Sequence, residues 1–265
     1  MLNLLHLQKI ILAMNLVNEV EAKMLQMRDD RQCAVLNRFF KTGKGEYGEG
    51  DKFLGIRVPQ TREVVKVYKY RLSLNEIQEL LHSPWHEIRL CGFLLLVEEM
   101  KAALPKKRET ERYGKAKRRN EITDFYLANA KQANNWDLVD LSCPYILGNW
   151  LLYPLEDNTF PDKTLLDRLS GSKNLWEQRI SIVSTLQLIR AGRLDDTLRI
   201  ADKLLYHKHD LIQKAVGWAL RELGKKDIEM LRAYLKENCP KMARTTLRYA
   251  IERMCDDERR FWLKR

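Results

Sequence analysis

Five times along this chain a polar residue and a charged residue lead directly into an apolar run: WHEIRLCGFLLL, NWDLVDLSCPYIL, LWEQRISIVSTL, HDLIQKAVGWAL and PKMARTTLRYAI. The charged residues are Arg89, Asp140, Arg179, Lys214 and Arg244, separated by 51, 39, 35 and 30 positions. Those intervals lie close to the period of HEAT-type helix-pair repeats, and the longest holds the basic connector KKRETERYGKAKRRN. Such pairs stack into a curved solenoid whose second helices line the inside. The pattern therefore predicts an all-α, HEAT-like superhelix with the five charged residues in a column on its concave face. A single domain is expected over residues 1–265, with residues 1–18 a helical extension and Met14 an alternative start.

The residues between these segments agree. Only 12 Gly and 7 Pro occur in 265 residues, and most stretches repeat apolar positions at the helical period. Leu211, Ile212, Ala215, Val216, Ala219, Leu220 and Leu223 trace one helix face; Asp210, with Gln213 three positions on, predicts its capping box, and Gly224 its C′ stop. Ser83 and Pro84 are expected to open the helix carrying Arg89 to Met100. Its LCGFLLLV run implies a helix buried on all sides.

Charge narrows the partners. With 47 Lys+Arg against 36 Asp+Glu, a net charge of +11, the chain favours a polyanion, nucleic acid before an acidic membrane. The five cysteines, Cys33, Cys91, Cys143, Cys239 and Cys255, are odd in number and widely spaced, and read as buried thiols in a reducing compartment. His82/His86 and His207/His209 lack a third ligand nearby, so no metal site is expected. The apolar N-terminus is interrupted by His6, Gln8 and Lys9 and shows no cleavage signal, which argues for an amphipathic helix and a non-secreted, cytoplasmic protein. No run elsewhere is long enough to span a bilayer.

FFKTGKGEYGEGDKFL carries glycines at 43, 45, 48 and 50. GKGEYG matches a dinucleotide-loop spelling, yet it follows a helical stretch rather than a strand, and Glu49 and Asp51 stand where a phosphate loop needs Lys and Ser/Thr. It reads as a shaped loop that brings Tyr47 toward the groove.

Within QANNWDLVDLSCPYILGNW, Trp136 and Asp140 are one turn apart if the segment is helical, so an indole and a carboxylate face one space. Trp218, with Arg221 three residues on, offers a second aromatic wall, and Arg179 a further cation. Two indoles, one carboxylate and two guanidiniums suit a cationic base on a phosphate backbone. Asp137 is a competing carboxylate that reads as a cap, and Asp140 could instead sit in a buried bridge with a neighbouring Arg. Cys143 reads as packing.

Taken in order, GKGEYGEGDKFLGIRVPQTR, NNWDLVD, NLWEQRISI, QKAVGWALRE and MARTTLRYAIERM resemble the AlkD-type DNA alkylation-repair glycosylases, from about Glu19 to Trp262. The resemblance implies hydrolysis of the N-glycosidic bond of cationic N3-alkyladenine and N7-alkylguanine in double-stranded DNA, without full base flipping, by a monomer needing no cofactor or metal. It implies that Asp140 is the catalytic carboxylate and that Trp136 and Trp218 flank the lesion, with Tyr47 in the place of an N-terminal aromatic. Arg179 is implied to meet the backbone beside the lesion, and Arg221, Lys214, Arg244 and Arg248 to hold phosphates. A non-catalytic HEAT protein reading distorted or branched DNA is the alternative, and a protein-binding adaptor a third.

Overall fold

The computed structural model describes residues 16–105 and 115–265. The extension expected over residues 1–18 falls outside that span except for its last residues, and so do residues 106–114 of the basic connector. Among the described residues there are fourteen α-helices and no strand, the sole extended pairing being an isolated bridge between Lys52 and Trp85. The protein is all-helical.

The chain forms two compact units. One runs up to Ala102 and takes in Leu127–Leu138; the other comprises Ala103–Tyr126 and Val139–Arg265. The first holds α1 (Leu16–Gln26), α2 (Asp30–Phe39), α3 (Val58–Tyr68), α4 (Leu74–Leu81) and nearly all of α5 (His86–Ala103). Helix α1 packs on α3 and α4. Helix α5 is buried on every side from His86 to Val97, as its unbroken apolar run implies. It starts two residues later than Ser83-Pro84 suggests, because Trp85 is drawn into the bridge with Lys52, and the His86 N–H donates to the Lys52 carbonyl at 2.8 Å.

In the second unit α8 (Thr164–Ser170), α9 (Leu175–Arg190), α10 (Asp195–Leu204), α11 (Asp210–Gly224), α12 (Ile228–Asn238) and α13 (Arg244–Ala250) pack in two rows. Helices α9, α11 and α13 form one row and α8 and α10 the other; α9 also touches α8 and α10, and α11 touches α10 and α12. This is the stacking of helix pairs in a solenoid. All seven apolar positions read from the sequence of α11 are buried. The cap is not where the spacing put it: the His209 imidazole accepts from the Leu211 N–H, which leaves Asp210 inside the helix, and Gly224 is its last residue rather than the one beyond. Gly217 lets α11 lie against α13, since a Cβ there would stand 2.5 Å from both the Thr246 carbonyl and the Tyr249 Cβ.

Three further helices matter for the site. Helix α6 is Ala116–Ala128, α7 is Trp136–Ser142, and α14 is Asp256–Leu263. Four of the five cysteines are buried, whereas Cys255 is exposed, contrary to its reading as a buried thiol.

Candidate active site

The motif segment is not one continuous helix. Asn135, fully buried, accepts from the Trp136 N–H at 2.9 Å and opens α7, which ends after two turns at Ser142. A π-helical turn, Pro144–Gly148, follows, with the Gly148 N–H reaching back to the Cys143 carbonyl at 3.0 Å. Insertions of this kind recur at functional sites because they re-aim neighbouring side chains. Trp136 and Asp140 keep the one-turn spacing that puts them on the same helix face.

Trp136 is half-buried and belongs to the first unit. Phe40 stacks on it at 5.3 Å and 30°, and Phe39 meets it edge-on at 5.8 Å and 68°. Phe39 ends α2 and is 59% exposed, which is unusual for a ring packed against two others. The end of α2 thus places two aromatic rings, Phe39 and Phe40, beside Trp136, neither of which was singled out from the sequence. Tyr47, expected in the place of an N-terminal aromatic, is half-buried in the glycine loop. The loop is ordered by its own carboxylates: Glu46 accepts from the Gly43 N–H at 2.9 Å and Glu49 from the Gly45 N–H at 2.8 Å. Those two amides are thus bonded within the loop.

The loop ends at Asp51 in a cluster that sequence reading missed. His86 is 2% exposed, its Nδ1 2.8 Å from Asp51 Oδ2 and its Nε2 2.9 Å from Asp137 Oδ2. Arg89 donates to Asp51 at 2.5 Å, to the Ser83 carbonyl at 2.9 Å and to Asn134 at 3.2 Å. Burial alone would lower the imidazole, but the Asp137 carboxylate and then the hydrogen bonds to Asp137 and Asp51 outweigh it and raise it to about 9. Burial would raise Asp51; the hydrogen bond and charge of His86, then Arg89, hold it below the ordinary carboxylate range. Asp137 is consequently not a simple cap but the carboxylate that ties α7 to His86. Asp51, His86 and Asp137 are separated by 35 and 51 positions. No local spacing in the sequence links the three.

In the second unit Asp140 meets Arg179 as a bidentate pair, Nε to Oδ1 at 2.8 Å and Nη2 to Oδ2 at 2.7 Å. Arg179 also donates to the Leu211 carbonyl at 2.5 Å, so one guanidinium links α7, α9 and the first turn of α11. The Asp140 side chain is 15% exposed and that of Arg179 6%. A planar fork holding both carboxylate oxygens fixes the orientation of the acid. Beneath it Cys143 is fully buried and its thiol is pushed far above the ordinary range by that burial, so it supplies packing and no nucleophile.

Lys214, Trp218 and Arg221 fall on one stripe of α11, all partly exposed. Lys214 is bridged to Asp210 at 2.6 Å, and Arg221 pairs with Glu252. Arg244 and Arg248 are exposed one turn apart on α13, with Arg244 donating to the Leu263 carbonyl at 2.7 Å. Of the basic residues named from sequence, Arg179 is thus the one committed to a buried partner, and Arg244 and Arg248 are the most open. Among the described residues no three His, Cys, Asp or Glu are grouped to hold a metal, and no helix is long and apolar enough to cross a membrane.

The family described as DNA alkylation repair enzyme matches residues 20–254. The chain belongs to that family. Among solved structures it is similar to a predicted DNA alkylation repair enzyme from Enterococcus faecalis, with a TM-score of 0.61 over 86% of this chain and 97% of that one. At 17% identity the likeness is one of fold. No curated protein matches the chain. For a DNA alkylation repair family member, the reading of DNA as the partner follows, and the Asp140–Arg179 pair and the Trp136 ring stack are the groups to be explained.

Proposed function

We propose that the protein is a monofunctional DNA glycosylase that hydrolyses the N-glycosidic bond of N3-alkyladenine and N7-alkylguanine in double-stranded DNA. The observation that carries this reading is Asp140, held in both oxygens by Arg179 with its side chain 15% exposed, one turn from a half-buried indole.

Alkylation at N3 or N7 makes the purine cationic, so when the C1′–N bond breaks its electron pair neutralises the base. The sugar is left oxocarbenium-like, water adds to C1′, and the water proton passes to solvent. No general acid is needed. The Asp140 carboxylate opposes the charge that develops on the sugar, and a fixed dipole or anion of this kind is worth about 3 to 4 kcal/mol of barrier in comparable sites. Trp136 and Trp218 flank the lesion nucleotide, with cation–π attraction of about 0.5 to 2 kcal/mol for a cationic base. Phe39 lies edge-on against Trp136 and extends its aromatic face. Arg179 orients the acid and offsets backbone charge beside the lesion, while Lys214, Arg221, Arg244 and Arg248 meet phosphates and carry no sequence information. His86 adds no acid, because both ring nitrogens already face carboxylates. The base need not be drawn into a pocket, and the protein acts as a cytoplasmic monomer without cofactor or metal.

A buried Asp–Arg bridge is also what a non-catalytic DNA-binding member would retain for its fold. One experiment separates the two. Duplexes carrying a single N7-methylguanine, uracil or hypoxanthine are incubated with the protein, with and without alkaline work-up. Release of the cationic base alone, leaving an intact abasic site, is the expected result. Binding without any release supports the non-catalytic reading, efficient uracil release removes the charge argument, and nicking before alkali removes the monofunctional one.

A further inference from the structure

The buried cluster at the start of α5 has a geometry that does more than fill space. Both nitrogens of His86 lie within hydrogen-bond distance of a carboxylate oxygen, and ionised carboxylates only accept. A neutral imidazole carries a single N–H and would leave one of these contacts without a proton. The arrangement therefore calls for an imidazolium that donates twice, to Asp51 at the end of the glycine loop and to Asp137 in the first turn of α7. The ring faces are used as well. Phe53 stacks on His86 at 4.5 Å and 24°, Phe40 lies at 5.1 Å and 34°, and Phe40 in turn stacks on Trp136. A continuous set of rings thus joins the buried cation to the half-exposed indole.

We propose that His86 is a positioning residue for the Trp136 face: as a doubly donating imidazolium it clamps the glycine loop to the first turn of α7 and, through Phe40, sets the plane that Trp136 presents to the lesion. The functional half of this rests on the glycosylase reading; the structural half does not. The charged groups that face His86 are Asp51 from the loop, Asp137 from α7 and, through Asp51, Arg89 from α5. Neighbouring Glu87 is turned away, accepting from the Leu54, Gly55 and Ile56 N–H groups at 2.8, 2.9 and 3.1 Å. Losing the imidazolium proton breaks one of the two carboxylate contacts and frees either the loop or the helix end. That should disturb the indole while leaving the exposed phosphate contacts alone.

The test combines two readouts over pH 6.5 to 10, the ordinary His value to above the raised one, with far-UV circular dichroism to confirm folding. The first is tryptophan fluorescence of the free protein; the second is single-turnover release of N7-methylguanine at saturating protein, corrected for spontaneous loss. Fluorescence of the native chain should titrate with a midpoint near 9, and that step should vanish in His86→Gln and in Trp136→Phe. The release rate should fall about 10- to 100-fold through the same step, the scale of a misplaced catalytic group. In His86→Gln it should be low and flat already at pH 7, with duplex affinity unchanged. If His86→Gln does not fold, Asp137→Asn, which removes one counter-charge, should move the fluorescence midpoint to lower pH. A fluorescence step unaltered by both variants, or normal release with a normal pH profile in His86→Gln, overturns the proposal. Absence of release from every protein at every pH defeats the glycosylase reading instead, and the fluorescence titration still decides the role of His86.

Discussion

Both units bury a cation against carboxylates, and they do so with different openness. In the first, His86 and Arg89 neutralise Asp51 and Asp137, whose side chains are 1% and 8% exposed. In the second, Arg179 neutralises Asp140, which keeps 15% of its surface. The ion-pair chemistry is alike. What separates them is that the first cluster spends its acceptors inward, on His86, Arg89 and the start of α7, while Asp140 is the most exposed of the three carboxylates. A closed network specifies geometry, and a nearly closed one can still do chemistry. The buried ion pair is not in itself a sign of either role, because desolvation offsets much of its attraction.

The comparison can be broken in several ways. Arg179→Ala should have the largest effect on stability, about 3 to 5 kcal/mol by chemical denaturation, since it strands the Asp140 carboxylate and the Leu211 carbonyl. A loss below 1 kcal/mol would mean the pair is a surface bridge and the contrast is false.

The next effect is on pH. His86 is held at about 9 when folded against 6.5 ordinarily, so its contribution is fully present below 6.5 and is lost as pH rises through 9. That loss should be on the order of 3 kcal/mol and should be absent in His86→Gln. Asp51 acts at the other end: held below its ordinary 3.8, it contributes above that value and its contribution is lost as pH falls through the depressed one. Urea unfolding at pH 7 and pH 9.5 checks the first of these.

Smaller again is Gly217→Ala, whose new Cβ would collide with the Thr246 carbonyl and with Tyr249. About 1 to 3 kcal/mol of destabilisation is expected, confined to the second unit, with the His86 titration unchanged. Smallest is Arg244→Ala, which should shallow the salt dependence of duplex binding by about one unit and leave turnover on bound substrate untouched.

Much of this was legible in the sequence, for a physical reason. Helix periodicity is local, so the buried face of α11 and the buried α5 could be read from spacing alone. The Trp136–Asp140 relation is a one-turn spacing and was equally accessible. Helix ends were less so: His209 displaces Asp210 as the cap of α11, and the Lys52–Trp85 bridge delays the start of α5. Those outcomes depend on where distant chain lies. The His86 cluster could not be read at all, because its members come from a loop and two helices with no shared spacing. Phe39 opens the glycine-loop stretch FFKTGKGEYGEGDKFL with no spacing that ties it to Trp136, and only its exposure beside that indole marks it.

The most direct measurement sets the two carboxylates of NWDLVD against each other. Single-turnover release of N7-methylguanine at pH 7 is compared for the native chain, Asp140→Asn and Asp137→Asn, with duplex affinity measured in parallel. Asp140→Asn should lose about 10²- to 10³-fold in rate while still binding. Asp137→Asn, which loosens a clamp rather than removing the charge beside the sugar, should stay within about tenfold of native. Near-native release by Asp140→Asn, or a loss in Asp137→Asn as large as that in Asp140→Asn, would contradict the assignment of chemistry to Asp140 and of positioning to Asp137.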